Sequence, residues 1–174
     1  ITMTKVEGVF FMKNRIGWSA LIGLIFSASA IAGPKACEGT DLEKEKCLSQ
    51  VYLEKMATEK DAHVVAGGVV LRPIFRNEFG AQPRVTDTVT VGYDLRDREG
   101  KVIEETMTGD ELATFPLRRL IQCWKTAIPL MTVGSLYKVS CPSDAAYGDQ
   151  GAGSAIKGGA ALTFWITLFA MSEE

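Results

Sequence analysis

The chain has 174 residues, of which 47% are hydrophobic and 23% are charged, and its formal net charge is −2. This length suits one domain of ordinary size, alone or with an appendage, and the composition excludes a wholly disordered chain and a collagen-like repeat. The weak negative charge provides no basic surface, so we expect no nucleic-acid partner. His63 is the only histidine, which excludes sites that need two imidazole groups.

The N-terminal residues 1–32 have the pattern of a leader. A short positive stretch at 12–15 precedes an apolar stretch at 16–25, and small residues follow up to Ala32. This order is typical of a secretory signal peptide, with an uncleaved membrane anchor as the alternative. We predict that 1–32 is leader and signal peptide. The exported chain would then begin near Gly33, with its cysteines in an oxidising compartment.

An N-terminal helical segment is predicted at 33–63, with a helix over 41–60. Thr40 and Glu43 have the spacing of a capping box. Beyond them, apolar or long side chains recur at helical spacing and predict one buried stripe. The stripe consists of Leu48, Val51, Tyr52, Lys55 and Met56. It must bury against the domain that follows or against a second copy of the chain.

Two cysteines, Cys37 and Cys47, flank the start of this helix. Their spacing alone leaves three alternatives open: a bond between them, two free thiols, or a bond to another chain. His63 follows the helix, and we expect it to face solvent or to cap, with no chemical role.

Residues 64–174 are predicted to form the main domain, in which strands alternate with turns. The stretch 85–95 alternates between apolar and polar residues, as a half-buried strand does. Its buried face would be Val89, Val91, Tyr93 and Leu95. Further strands are predicted at 134–141 and 162–169, and a hairpin turn at 97–100.

A second helix is predicted over 114–128, with Pro116 in its first turn, where the missing N–H costs nothing. A long loop rich in glycine, alanine and serine occupies 142–161. One short helix framed by antiparallel strands indicates an α+β fold, in which a sheet covers a single helix.

Most catalytic templates are absent from the sequence. No glycine-rich loop precedes Lys-Ser or Lys-Thr, no serine or cysteine is placed beside His63, and the cysteines lack zinc-ligand spacing. We therefore expect no metal and no cofactor. What remains is a set of aromatic and large apolar residues near turns, which would be either core or pocket.

These residues occur within short motifs that follow one another in a fixed order. The motifs are Tyr93 at the end of an alternating strand, a turn at Gly100, Phe115-Pro116-Leu117, the stretch from Leu120 to Trp124, Gly134, Ala146-Tyr147-Gly148 and Leu162-Thr163-Phe164. Their order and spacing over 64–171 resemble the FKBP-type peptidyl-prolyl cis–trans isomerases. With a helix ahead of the domain, the chain resembles the macrophage infectivity potentiator branch of the bacterial envelope.

The resemblance implies an antiparallel half-barrel of about five strands wrapped around one short helix. It also implies catalysis of rotation about X–Pro bonds in an apolar aromatic pocket. In the pocket that the resemblance implies, Trp124 forms the floor, and the aromatic walls are Tyr93, Phe115 and Phe164. Leu120 and Ile121 line the entrance, where the Ile121 N–H is a donor. The Tyr147 hydroxyl binds the substrate backbone, and Ile156 is the apolar residue of the flap.

The partners implied by the resemblance are proline-containing client polypeptides and the macrolide inhibitors that bind the family's pocket. The location implied is the periplasm or cell envelope of a bacterium. Relatives of this branch dimerise through a longer helical region, so a homodimer through the single predicted helix is left open.

Three departures from the family pattern bear on the rate. Ile103-Glu104 stands where the family has Phe-Asp, and the longer Glu104 arm is expected to displace its hydrogen bonds. Cys123 replaces a glycine before Trp124 and is expected to shift the start of the helix. Lys157-Gly158-Gly159 replaces a stiff flap pair and is expected to be more mobile. The alternative function is therefore a weakly catalytic chaperone or protein-binding module of the same fold.

Overall fold

The computed structural model describes residues 36–107 and 112–173. This part of the chain contains two α-helices and seven β-strands, beside short 3₁₀ turns. They are α1 (Asp41–Ala57), β1 (His63–Val64), β2 (Val70–Phe75), β3 (Thr88–Asp97), β4 (Val102–Glu105), β5 (Ala113–Pro116), α2 (Gln122–Ala127), β6 (Leu136–Cys141) and β7 (Leu162–Ser172). Among the described residues, no helix is long and apolar enough to cross a membrane. The predicted signal peptide lies outside the described residues.

The strands form one antiparallel sheet with the order β1-β2-β6-β7-β3-β4, and β5 also pairs with β3. The predicted α+β architecture is confirmed, although the sheet has seven strands where about five were expected. Among the strands that the sequence analysis did not name are β1 and β5. β1 has only two residues, too few for an alternating pattern to show in the sequence.

The inner face of the sheet carries the hydrophobic core. Alternate residues of β3 and β7 are buried there, as the period of two predicts. They are Val89, Val91, Tyr93 and Leu95 from β3, and Leu162, Phe164, Ile166 and Leu168 from β7. Trp124, Ala127 and Ile128, in and directly after α2, belong to the same cluster, so the sheet wraps around α2 as the resemblance implied.

The second helix is shorter than predicted. The expected span of 114–128 divides into strand β5, a 3₁₀ turn at Leu117–Arg119, α2 itself and a second 3₁₀ turn at Ile128–Leu130. Phe115 pairs with Val89 of β3, because the β-branched and aromatic residues of this stretch suit a strand better than a helix. Pro116 ends that strand in extended backbone.

Helix α1 begins with the predicted capping box. The Thr40 hydroxyl accepts from the Glu43 N–H at 3.3 Å, and the Glu43 carboxylate accepts from the Thr40 N–H at 2.8 Å. Cys37 and Cys47 are bonded to each other, which answers the question that their spacing left open. The bond links the segment before α1 to its second turn.

The predicted buried stripe of α1 is only partly right. Met56 is buried and Tyr52 is half-buried, but Leu48, Val51 and Lys55 are exposed. The helix also buries Glu45, Ser49 and Leu53, which the prediction did not include. This face packs on the outer surface of the sheet, where polar partners meet it. Arg98 donates to both Glu45 carboxylate oxygens at 2.8 and 3.1 Å, and Tyr52 hydrogen bonds to Thr163 at 2.7 Å. The helix therefore packs on its own domain, one of the two predicted alternatives.

Candidate active site

An aromatic cavity of about 180 Å³ opens at one end of the core. Five segments of the chain meet there: β3, β5, the residues directly before α2, α2 itself, and the long loop 142–161. The lining residues are Tyr93, Phe115, Leu120, Ile121, Trp124 and Tyr147. The structure thus brings together side chains that are more than fifty residues apart in the sequence.

Trp124 is the centre of the aromatic cluster. Its indole contacts Tyr93 at a centroid distance of 5.2 Å and Phe164 at 5.4 Å, both edge to face, and Phe115 at 6.4 Å. Edge-to-face pairs are favourable because the positive ring edge meets the negative ring face. Phe164 is buried and supports Trp124 without being part of the described cavity lining.

Tyr93 is held by Glu104. The Tyr93 hydroxyl donates to Glu104 Oε1 at 2.5 Å, and the register of β3 and β4 places Glu104 opposite Leu95. The longer arm of Glu104 reaches the phenol. Burial, together with this hydrogen bond to Glu104, raises the pKa of Tyr93 above its usual value. The phenol therefore stays protonated at neutral pH.

Tyr147 and Ile121 both line the cavity and both carry a hydrogen-bond donor. Burial, with a contribution from the Glu104 charge, raises the pKa of Tyr147, so its half-exposed hydroxyl also remains a donor at neutral pH. Ile121 precedes α2, and its carbonyl accepts from the Trp124 and Lys125 N–H groups at 3.1 and 3.2 Å. Its own N–H donates to no other residue in the described part of the chain.

Ile103 and Ile156 do not line the aromatic cavity. They line a neighbouring pocket of about 320 Å³, together with Leu162 and charged residues at its rim. Ile156 is buried there and forms a β-bridge with Ala152. Ile103 belongs to β4, and it shares this second pocket with Ile156 and with Leu162 at the start of β7.

Residues 80–169, just over half of the chain, match the family model of the FKBP-type peptidyl-prolyl cis–trans isomerases. The chain belongs to this family. An FkpA isomerase of Aeromonas hydrophila is 40% identical over 139 residues, which are 80% of this chain and 51% of the relative. The outer membrane protein MIP of Legionella longbeachae is 30% identical over 131 residues, covering 75% of this chain and 56% of the relative.

A crystal structure of a peptidyl-prolyl cis–trans isomerase from Pseudomonas syringae pv. tomato superposes with a TM-score of 0.72. It is 25% identical, and the match covers 78% of this chain and 99% of that one. The predicted resemblance to FKBP-type isomerases of the infectivity potentiator and FkpA type is thereby confirmed. The chain spans about half the length of the curated relatives it matches.

One element of this FKBP-type site escaped the sequence analysis. Cys123, directly before Trp124, is bonded to Cys141 at the end of β6, and both are fully buried. The bond joins the start of α2 to the strand that leads into the long loop. A signal was present in the sequence, since Cys123 departs from the family glycine and an exported chain favours paired cysteines.

The Tyr93–Glu104 contact predicts a pH effect on stability. A group whose pKa is raised by folding contributes stability that is present below its unfolded pKa and is lost as the pH rises toward the folded value. We therefore expect the free energy of unfolding to fall above a pH of about 10, where an unfolded tyrosine ionises.

Tyr93→Phe should lessen this fall. It should also lower the free energy of unfolding at neutral pH by about 1.5 kcal/mol, through loss of a hydrogen bond to a charged group. Urea unfolding between pH of about 8 and 11 measures both effects. The same alkaline slope in wild type and Tyr93→Phe would show that Tyr93 is not the group responsible.

Proposed function

We propose that the protein catalyses cis–trans isomerisation of X–Pro bonds in exported polypeptides. The observation that carries the proposal is the aromatic cavity with Trp124 at its centre, a shape and chemistry suited to a proline ring. Uncatalysed rotation takes tens to hundreds of seconds, because amide resonance sets a barrier of about 18–20 kcal/mol. A catalyst must therefore favour the twisted amide, in which this resonance is lost.

The residues of the cavity suit that task. A planar amide carries more charge separation than a twisted one, so an apolar, water-poor cavity disfavours the planar form. The proline ring would rest against Trp124 while the Ile121 N–H and the Tyr147 hydroxyl bind substrate carbonyl groups. Tyr93, held by Glu104, would form a fixed wall. No proton transfer and no covalent intermediate is required. The roles proposed for these residues accordingly include no general acid and no general base.

A protease-coupled assay on a proline-containing peptide tests the proposal. We expect the purified, folded protein to accelerate the slow cis-to-trans phase, and a macrolide of the kind that the family binds to suppress the acceleration. A rate equal to background would overturn the proposal. If that protein still prevented aggregation of an unfolded client, it would be a chaperone or binding module of the same fold.

We further propose that the chain works in the periplasm or cell envelope. Two disulfides and no free cysteine are found in the described part, and disulfides persist in oxidising compartments. The name of the Legionella longbeachae relative places that protein in the outer membrane. Intact mass of the exported protein tests this: cleavage after Ala32 is expected, and retention of the leader would show an anchored form.

A homodimer through α1 would have little apolar surface to use among the described residues. Leu53 and Met56 are buried within the protein's own fold, and the exposed apolar residues of the predicted stripe are Leu48 and Val51. Stable interfaces bury on the order of 800 Å² per partner, more than two such side chains provide. We expect a monomer in sedimentation equilibrium; a dimer at micromolar concentration would contradict this expectation.

A further inference from the structure

Helix α1 touches the middle and the end of the loop that completes the cavity. Loop 142–161 carries Tyr147, which lines the cavity, and Ile156, which lines the neighbouring pocket. α1 lies on the opposite, outer side of the sheet and contributes no residue to the cavity. It nevertheless makes three separate contacts with this loop and its end.

The first contact is an ion pair close to Tyr147. Lys46 Nζ lies 2.5 Å from Asp149 Oδ1, two residues beyond Tyr147. The hydrogen bond to Asp149 raises the pKa of Lys46. Both side chains are about half exposed, so the pair alone would hold the loop weakly.

The second contact is a close approach that requires glycine. A Cβ at Gly159 would lie 3.1 Å from Leu42 Cδ1 and 2.8 Å from Lys46 Cγ, and the backbone there has a φ of +77°. Gly158 also packs against Leu42. These glycines replace the stiff pair of the family pattern. Their small size lets the loop lie directly on α1, and this contact is a restraint that the sequence did not reveal.

The third contact is a buried hydrogen bond at the end of the loop. Ser49 Oγ accepts from the Ala161 N–H at 2.8 Å, and both residues are buried. A buried N–H without a partner is costly, so this bond determines where the loop joins β7. It is the strongest of the three because water cannot replace it.

Hydrogen bonds within the loop connect these contacts to Tyr147. The Gly159 N–H donates to the Gly148 carbonyl at 2.9 Å, and the Gly151 N–H donates to the Tyr147 carbonyl at 3.1 Å. Gly159, which contacts α1, is therefore bonded directly to Gly148, the neighbour of Tyr147, and Gly151 bonds to Tyr147 itself. Movement of the loop end away from α1 would carry Tyr147 with it.

We infer that Leu42, Lys46 and Ser49 of α1 are positioning residues for the isomerase loop, which they hold with Tyr147 at the cavity. This inference rests on the proposed isomerase function. Because such a loop is already in place, substrate binding does not have to supply the free energy of ordering it. If only a fraction of molecules has the loop in place, the apparent affinity is the intrinsic affinity multiplied by that fraction, while bound substrate still reacts normally. Loosening α1 should therefore raise KM and leave kcat nearly unchanged.

Ser49→Ala tests the inference, with Tyr52→Phe as the matched control. Each variant removes one hydroxyl from the buried side of α1. Tyr52 bonds to Thr163 of β7, outside the loop, and Thr163 keeps its second partner Ser140. We expect Ser49→Ala to raise KM by about threefold to tenfold with kcat within about twofold of wild type. It should also speed amide hydrogen exchange across 147–161, whereas Tyr52→Phe should do neither.

A second test reverses the exposed ion pair, which the fold should tolerate. Lys46→Glu and Asp149→Lys should each raise KM, and the double variant should restore it, because only the double variant pairs opposite charges again. Loss of folded protein would instead lower the apparent kcat at unchanged KM.

Equal KM and equal loop exchange in Ser49→Ala and Tyr52→Phe would overturn the inference. If wild type itself showed no isomerase activity, the proposed function would fail. Hydrogen exchange would then still decide whether α1 holds the loop.

Discussion

Trp124→Ala is expected to lower kcat/KM for X–Pro isomerisation by about tenfold to a hundredfold, equivalent to about 1.4–2.8 kcal/mol of transition-state stabilisation. The substitution removes the surface on which the proline ring is proposed to rest. It also removes a ring that is only 4% exposed and that contacts three other aromatic rings. The free energy of unfolding should fall by about 3–5 kcal/mol, as is typical of a large buried ring replaced by alanine.

Activity and stability must be separated in this experiment. Trp165→Ala is a suitable control, because Trp165 lies on the outer face of the sheet, 5.5 Å from the Arg96 guanidinium and 5.4 Å from Lys138 Nζ. Trp165→Ala should lower the free energy of unfolding by less than Trp124→Ala does, and it should leave the cavity intact. Trp124→Leu keeps an apolar side chain in the core. It should therefore lose less stability than Trp124→Ala while still losing activity. Equal activity in Trp124→Leu and wild type would contradict the role given to this indole.

Removal of the Cys123–Cys141 bond is expected to lower the free energy of unfolding by about 3 kcal/mol, the entropic contribution of closing a loop of this length. The bonded cysteines are 18 positions apart. The double variant Cys123→Ala and Cys141→Ala should also lower kcat/KM, because Cys123 holds the start of α2 directly beside Trp124. Urea unfolding and the isomerase assay measure the two effects.

The second disulfide provides the matched comparison. Cys37 and Cys47 are 10 positions apart and lie at the start of α1. Their double replacement by alanine should lower stability by a comparable amount, about 2–3 kcal/mol, with a smaller loss of kcat/KM. A larger loss of activity from this pair than from Cys123 and Cys141 would show that the bond beside Trp124 does not organise the cavity.

The long strands could be predicted because each has one buried face. Alternate residues over 89–95 of β3 and 162–168 of β7 enter the core, and this period of two is visible in the sequence itself. The capping box of α1 is equally local, since Thr40 and Glu43 are three positions apart. By contrast, β5 was assigned to a helix, because its pairing with β3 depends on residues more than twenty positions away.

The buried face of α1 could not be predicted from hydrophobicity. Hydrophobicity alone would place Leu48 and Val51 on the buried face, yet the helix buries Glu45 and Ser49. These polar residues are buried because Arg98 and the Ala161 N–H meet them there, and both partners are more than fifty positions away. A helix rotates to satisfy buried polar groups as well as apolar ones.

The sequence by itself determined the family, the α+β fold and the aromatic residues around the cavity, because these follow from residue types in a fixed order. The tertiary structure alone decided which cysteines pair, that Glu104 reaches Tyr93, that Ile103 and Ile156 lie beside the cavity, and that α1 packs on the domain that carries the loop. Each of these depends on a distance in the folded structure, which no periodic pattern in the sequence encodes. The opening observation of a single histidine is consistent with the result, since the proposed reaction uses shape, apolarity and a few hydrogen-bond donors.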